Sequence, residues 1–171
     1  ATANNAEKHA IIKSKGILNN FISEYLMNKI ELCGVPTHFI KRINDREQLI
    51  KKVKIIPVEL VVRNKATGSI VKRYGIKESL HFNNHLIEFF YKNDSLGDPL
   101  LNEYHILEFD WAKPNELEIM KYYALKINKI LTDIFNNIKI DLIDFKVEFG
   151  RIKDNKNTDI IILADEISPD N

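Results

Sequence analysis

The feature that most constrains the fold is the stretch DLIDFKVEFG, Asp141 to Gly150. Read with a period of two, Ile143, Phe145, Val147 and Phe149 point one way, and Asp144, Lys146 and Glu148 point the other. Only a strand with one greasy face and one charged face satisfies that alternation. A second strand follows after the polar turn KDNKN, where five apolar residues, Ile160 to Ala164, run straight into Asp165. The pair reads as a hairpin over roughly 140–150 and 158–164. With Asn155 and Lys156 as its loop, Glu148 faces Leu163 and Lys146 faces Asp165. Asp144, Lys146, Glu148 and Asp165 then share one face. Carboxylates this close repel unless a cation lies between them, and hard oxygen ligands favour Mg²⁺ completed by substrate phosphates. A solvated face with a surface ion pair is the alternative.

The rest of the chain sets the class. Residues 14–33 read as a helix with an apolar stripe of Leu18, Phe21, Ile22, Tyr25, Leu26 and Ile30, ended by Gly34 and Pro36. THFIKRI and KKVKIIPVELVVR read as strands, with Pro57 at a break or an edge. HLIEFFYKND is another strand. Residues 115–138 are the strongest helix, with Leu117, Met120, Ala124, Ile127, Leu131, Ile134 and Ile138 forming a core seam and Asn115 with Glu118 a capping box. Helices and strands are both abundant but do not alternate, which is an α+β pattern.

Two further stretches carry charge. VVRNKATGSIVKRYG follows a strand and offers Arg63, Gly68 and Ser69 as a turn that could hold a phosphate; an ordinary basic surface turn has the same composition. YKNDSLGDP ends a strand with Lys92, Asp94 and Asp98, so three strands each deliver charge at an end. His81 and His85 in HFNNH lack a third zinc ligand, and Cys33 reads as packing. The 171 residues carry a net charge of +1, which excludes a strong global pull on nucleic acid or membrane. A lone cysteine excludes an internal disulfide framework and suits a reducing compartment.

Taken together and in order, VELVVRNKATGSIVKRYGI, KNDSLGDPLLNEYHI, DFKVEFG and LADEISPD resemble the SAICAR synthetase family. ATANNAEKHAIIKSKGILNN and GVPTHFI are similar to the same family. The resemblance implies an α+β, two-lobed SAICAR synthase-like fold related to kinase and ATP-grasp architecture, seen as an internal fragment. Residues 1–57 would be the remainder of an N-terminal lobe, and 58–171 a second lobe with the metal- and substrate-binding hairpin. It implies an ATP-dependent, Mg²⁺-requiring ligase joining L-aspartate to carboxyaminoimidazole ribotide through an acyl phosphate, in purine biosynthesis. Carried over by residue, Glu148 and Asp165 would be the metal ligands. Arg63 and Ser69 would hold the ribotide 5′-phosphate, and Asp98, Asp144 and Lys146 would line the imidazole substrate. Lys92 and Asp170 would lie near the same site, and Glu59 would contact the adenine amino group. The same resemblance implies a cytoplasmic homo-oligomer acting on small molecules, with no nucleic-acid or membrane partner. A kinase-like phosphotransferase and a non-catalytic nucleotide- or RNA-binding module remain as alternatives, although HRD and DFG triplets are missing.

Overall fold

A computed structural model describes the backbone at residues 2–3, 8–9 and 12–169, and the side chains of residues 12–169. Asp170 therefore lies outside the described residues. Two short strands, β1 (Thr2–Ala3) and β2 (Lys8–His9), pair antiparallel. They are followed by helix α1 (Lys15–Leu32) and a small antiparallel pair, β3 (Phe39–Arg42) with β4 (Gln48–Ile50). The main sheet is built from β5 (Lys54–Lys65), β6 (His81–Tyr91), β7 (Leu100–Leu101), β8 (Asp144–Lys153) and β9 (Asp159–Ala164). Its order is β7-β6-β5-β8-β9, and every pairing is antiparallel. Helices α2 (Ser69–Tyr74) and α3 (Glu103–Glu108) are short, and α4 (Pro114–Asn137) is the long one. The α+β class read from the sequence is the class observed.

The core follows from the strand alternation. Val58, Leu60 and Val62 of β5, Phe89 of β6 and Phe145, Val147 and Phe149 of β8 are buried on one face of the sheet. Leu117, Met120, Ala124, Ile127 and Leu131 of α4 are buried in the same cluster, so the seam expected on this helix is its core face. Pro57 sits where the β5–β8 register shifts between Ile55 and Glu59, the break expected of a residue without an N–H. Gly150 is demanded by packing. A Cβ there would stand 2.6 Å from Val53 Cγ2, closer than real Cβ atoms come to a neighbour.

Several sequence expectations are corrected. The exposed edge of α1 includes Leu18 (57%) and Tyr25 (51%), whereas Asn19, Ser23, Leu26, Met27 and Ile30 face inward. A polar Asn and Ser on the inner face displaced the stripe that hydrophobicity alone selects. The α4 cap lies two residues earlier than expected. Lys113 is the N-cap, Pro114 opens the helix, and Glu116 accepts from the Lys113 backbone N–H at 2.7 Å. Glu118 instead pairs with Lys121 on the surface. Cys33, expected to pack, is exposed. The basic turn is partly helical, because α2 starts immediately after Gly68, whose φ of 61° suits glycine.

Candidate active site

The register of the main sheet decides which charged side chains meet. Glu59, Val61 and Arg63 alternate along one face of β5. Glu59 pairs with Phe90 on one side and Glu148 on the other. Val61 pairs with Glu88 and Lys146, and Arg63 with Leu86 and Asp144. Cross-strand partners share a face, so Glu59, Arg63, Glu88, Asp144, Lys146 and Glu148 all project opposite the apolar core. The sequence suggested charge gathered at strand ends. In an antiparallel sheet neighbouring strands end at opposite edges, and what gathers the charge is a common face of three central strands.

The hairpin register differs from the expected one by one residue. Glu148 pairs with Ala164, and Lys153 with Asp159. The loop holds five residues, 154–158, instead of two. Asp154 Oδ1 accepts from the backbone N–H groups of Lys156 and Thr158, both at 2.8 Å, and stabilises this longer turn. With strand geometry continued, the slip would turn Asp165 away from Glu148. It does not, because β9 stops at Ala164 and Asp165 adopts a left-handed φ of 57°. The Asp165 carboxyl returns to the side of Glu148, whose charge acts on it, and both line the same cleft.

Around this pair the charges interlock. Glu148 is 2% exposed, which rules out a merely solvated face. Its Oε1 accepts from Lys92 Nζ at 2.5 Å and from Lys146 Nζ at 3.3 Å. Lys146 also donates to Glu59 Oε1 at 2.8 Å, and Lys92 stands 3.8 Å from the same oxygen. Burial alone would raise the Glu148 pKa, but the Lys92 hydrogen bond and the Lys146 and Lys92 charges bring it below the ordinary value. Asp165 goes the other way, raised by burial and by the Glu148 charge. Lys146 is raised: burial opposes its charge, but Glu59 and Glu148 outweigh burial.

Three of these groups open into a cleft of about 650 Å³. Lys92, Glu148 and Asp165 line one wall, and Asn20 of α1 with Lys51 and Lys52 after β4 line others. His38, lowered chiefly by burial, borders the same space. At the other end of the charged face, Arg63 is 6% exposed. It donates from Nη1 to Asp144 at 2.5 Å, from Nε to Glu88 at 2.7 Å and from Nη2 to Ser69 Oγ at 3.1 Å. Burial first, and Glu88 in addition, raise Asp144 against the pull of Arg63. Asp98 lies beyond β6, where its Oδ1 accepts from the Asn93 N–H at 2.8 Å. Four residues of β5 separate Arg63 from Glu59, about 13 Å of strand.

Among the described residues no group of three or more His, Cys, Asp or Glu side chains is placed to hold a metal ion. The Glu148–Asp165 pair nevertheless fits Mg²⁺, which commonly takes one or two carboxylates and fills its remaining positions from phosphate and water oxygens. The sequence reading missed Glu88 and His38. Glu88 had the signal that Asp165 had, a single acid in the apolar run LIEFF. His38 had none, since its place depends on Pro36 and His38 docking their backbones onto Leu163, each at 2.8 Å.

Comparison with known proteins identifies the family. The profile of the family described as SAICAR synthetase matches residues 1–171. The chain belongs to the SAICAR synthetase family. It is 56% identical over 170 residues to the phosphoribosylaminoimidazole-succinocarboxamide synthase of Wolbachia pipientis subsp. Culex pipiens, covering 99% of this chain and 70% of that protein. Its fold is similar to the crystal structure of the synthase from Ehrlichia chaffeensis, with a TM-score of 0.94 at 51% identity over 99% of this chain and 71% of that one. A SAICAR synthetase solved in complex with ADP matches with a TM-score of 0.90 at 39% identity, over 99% of this chain and 70% of that one. Among the described residues no helix is long and apolar enough to cross a membrane.

Proposed function

We propose that the chain carries the catalytic face of an ATP-dependent carbon–nitrogen ligase. It joins L-aspartate to carboxyaminoimidazole ribotide and forms SAICAR in purine biosynthesis. The observation that carries this reading is the row of charged side chains across β5 and β8 in a chain of the SAICAR synthetase family. A relative solved with ADP supports a nucleotide as one ligand of the fold.

The substrate carboxylate is a poor electrophile. Phosphorylation by ATP turns it into an acyl phosphate, which the aspartate amine can attack with loss of phosphate. Such a transfer needs positioning and charge neutralisation more than covalent help. In this reading Glu148 and Asp165 hold Mg²⁺, which when bound neutralises charge on phosphate oxygens. Lys92 and Lys146 hold Glu148 in its ionised form and fix its orientation. The Lys146 ammonium, steadied by Glu59, faces the reacting carboxylate. Arg63 and Ser69 take the ribotide 5′-phosphate at the far end of the face, and Asp144 and Asp98 border the imidazole. The roughly 13 Å between the two ends suits a ribotide lying along β5. Asp170, just past the described residues, belongs to the same end of the chain as Asp165. In this reading residues 1–57 belong to a first lobe and 58–171 to a second, with the strand that contains Pro57 as the link.

The test is product formation from ATP and carboxyaminoimidazole ribotide, with and without L-aspartate. Aspartate-dependent SAICAR, formed together with ADP and phosphate, is expected. Stable phosphorylation of another acceptor without any need for aspartate would instead favour a kinase-like phosphotransferase.

A further inference from the structure

Glu88 is a charged group that the proposed reaction does not use, yet it is 7% exposed in the middle of an apolar strand. Its Oε2 accepts from Arg63 Nε at 2.7 Å. Its Oε1 accepts from Arg73 Nη2, so one carboxylate joins two arginines. Arg73 comes from α2, and its guanidinium lies over the Phe90 ring at 5.6 Å and the Tyr74 ring at 5.2 Å. Glu88 thereby links β6 to β5 and to α2, the helix that carries Ser69. Arg63 reaches Ser69 Oγ with Nη2, the nitrogen left over once Nε is fixed on Glu88 and Nη1 on Asp144.

A buried negative charge beside an anion site needs a reason. As a counter-charge alone, Glu88 would weaken anion binding, and its removal would tighten it. We propose that Glu88 is a positioning residue. Its two oxygens lock Arg63 and Arg73 into one unit and turn the Nη2 edge of Arg63 onto Ser69. The proposal rests on the reading that Arg63 and Ser69 take the ribotide phosphate. The benefit of fixing a planar guanidinium exceeds the repulsion, because a forked donor binds phosphate well only when held in register.

The experiment uses the full-length enzyme and compares Glu88→Gln, Arg73→Gln and Arg63→Gln by steady-state kinetics, with inorganic phosphate as a competitive probe. Glu88→Gln keeps the shape but serves only one arginine as acceptor. It should raise the KM for ribotide about tenfold and weaken inhibition by phosphate in parallel. The kcat and the KM for ATP should stay within about twofold. Arg73→Gln, more exposed and safer for folding, should raise the ribotide KM about threefold. A ribotide KM that falls or stays constant in Glu88→Gln, while Arg63→Gln raises it, overturns the positioning role. If Arg63→Gln leaves ribotide KM and phosphate inhibition unchanged, the phosphate reading itself is at fault. Should Glu88→Gln not fold, an unchanged ribotide KM in Arg73→Gln overturns the proposal.

Discussion

Replacing Lys146 by Met removes a charge while keeping most of the side chain's apolar stem. In the folded protein Lys146 Nζ donates to Glu59 at 2.8 Å and to Glu148 at 3.3 Å, and both carboxylates are buried. Without it, Glu59 keeps, among the described residues, only Lys92, at 3.8 Å, as a cationic neighbour. Breaking a buried ion pair costs about 3–5 kcal/mol, and the partial exposure of Lys146 brings the expected loss to about 2–3 kcal/mol. For a domain of this size that lowers Tm by about 5–10 °C. Scanning calorimetry at neutral pH measures it. Adding Glu59→Gln removes the stranded charge, so the double variant should recover at least half of the lost Tm, while turnover stays low. A Tm for Lys146→Met within a degree or so of the parent, or no recovery in the double variant, would refute the interlocked-charge description.

Two other perturbations test the frame around the site. Glu116 takes Arg151 at 2.6 and 2.7 Å, and that hydrogen-bonded pairing is the main reason its carboxyl lies below the ordinary value. Its stabilising share is therefore complete above the unfolded carboxylate range and lost as pH falls through the folded pKa. In urea titrations Glu116→Gln should be less stable than the parent by about 2 kcal/mol near neutrality, with the gap narrowing as the pH falls below the ordinary carboxylate range; a constant gap would contradict the pairing. Gly150→Ala sets a methyl 2.6 Å from Val53 Cγ2 and 2.8 Å from Val53 Cβ and should cost about 1–3 kcal/mol; an unperturbed Tm would show that the contact can yield freely.

How far the sequence could be read varied with the physics involved. The alternation of Phe145, Val147 and Phe149 with Asp144, Lys146 and Glu148 is a local, period-two signal, and it survived into the structure intact. The α4 seam did so for the same reason at period 3.6. The hairpin register did not, because it turned on side-chain hydrogen bonds of Asp154 within a longer loop. The juxtaposition of Glu148 and Asp165 was expected from the wrong register, and a left-handed residue at the end of β9 produced it by another route. No periodicity predicts a single φ. The inner face of α1 was read in part: Ile22, Leu26 and Ile30 face the core as expected, but Asn19 and Ser23 are buried and polar, which hydrophobic patterning cannot see. The engagement of Arg63 with two carboxylates required the pairing of three strands far apart in sequence.

The central claim is that Glu148 and Asp165 together bind a divalent ion at the nucleotide phosphates. Titration of the full-length enzyme with Mn²⁺ in the presence of ADP, followed by the loss of the free-ion electron paramagnetic resonance signal, tests it most directly. The account predicts one tightly bound ion in the parent and binding weakened at least about tenfold in both Glu148→Gln and Asp165→Asn. Parent-like Mn²⁺ affinity in both variants would contradict it.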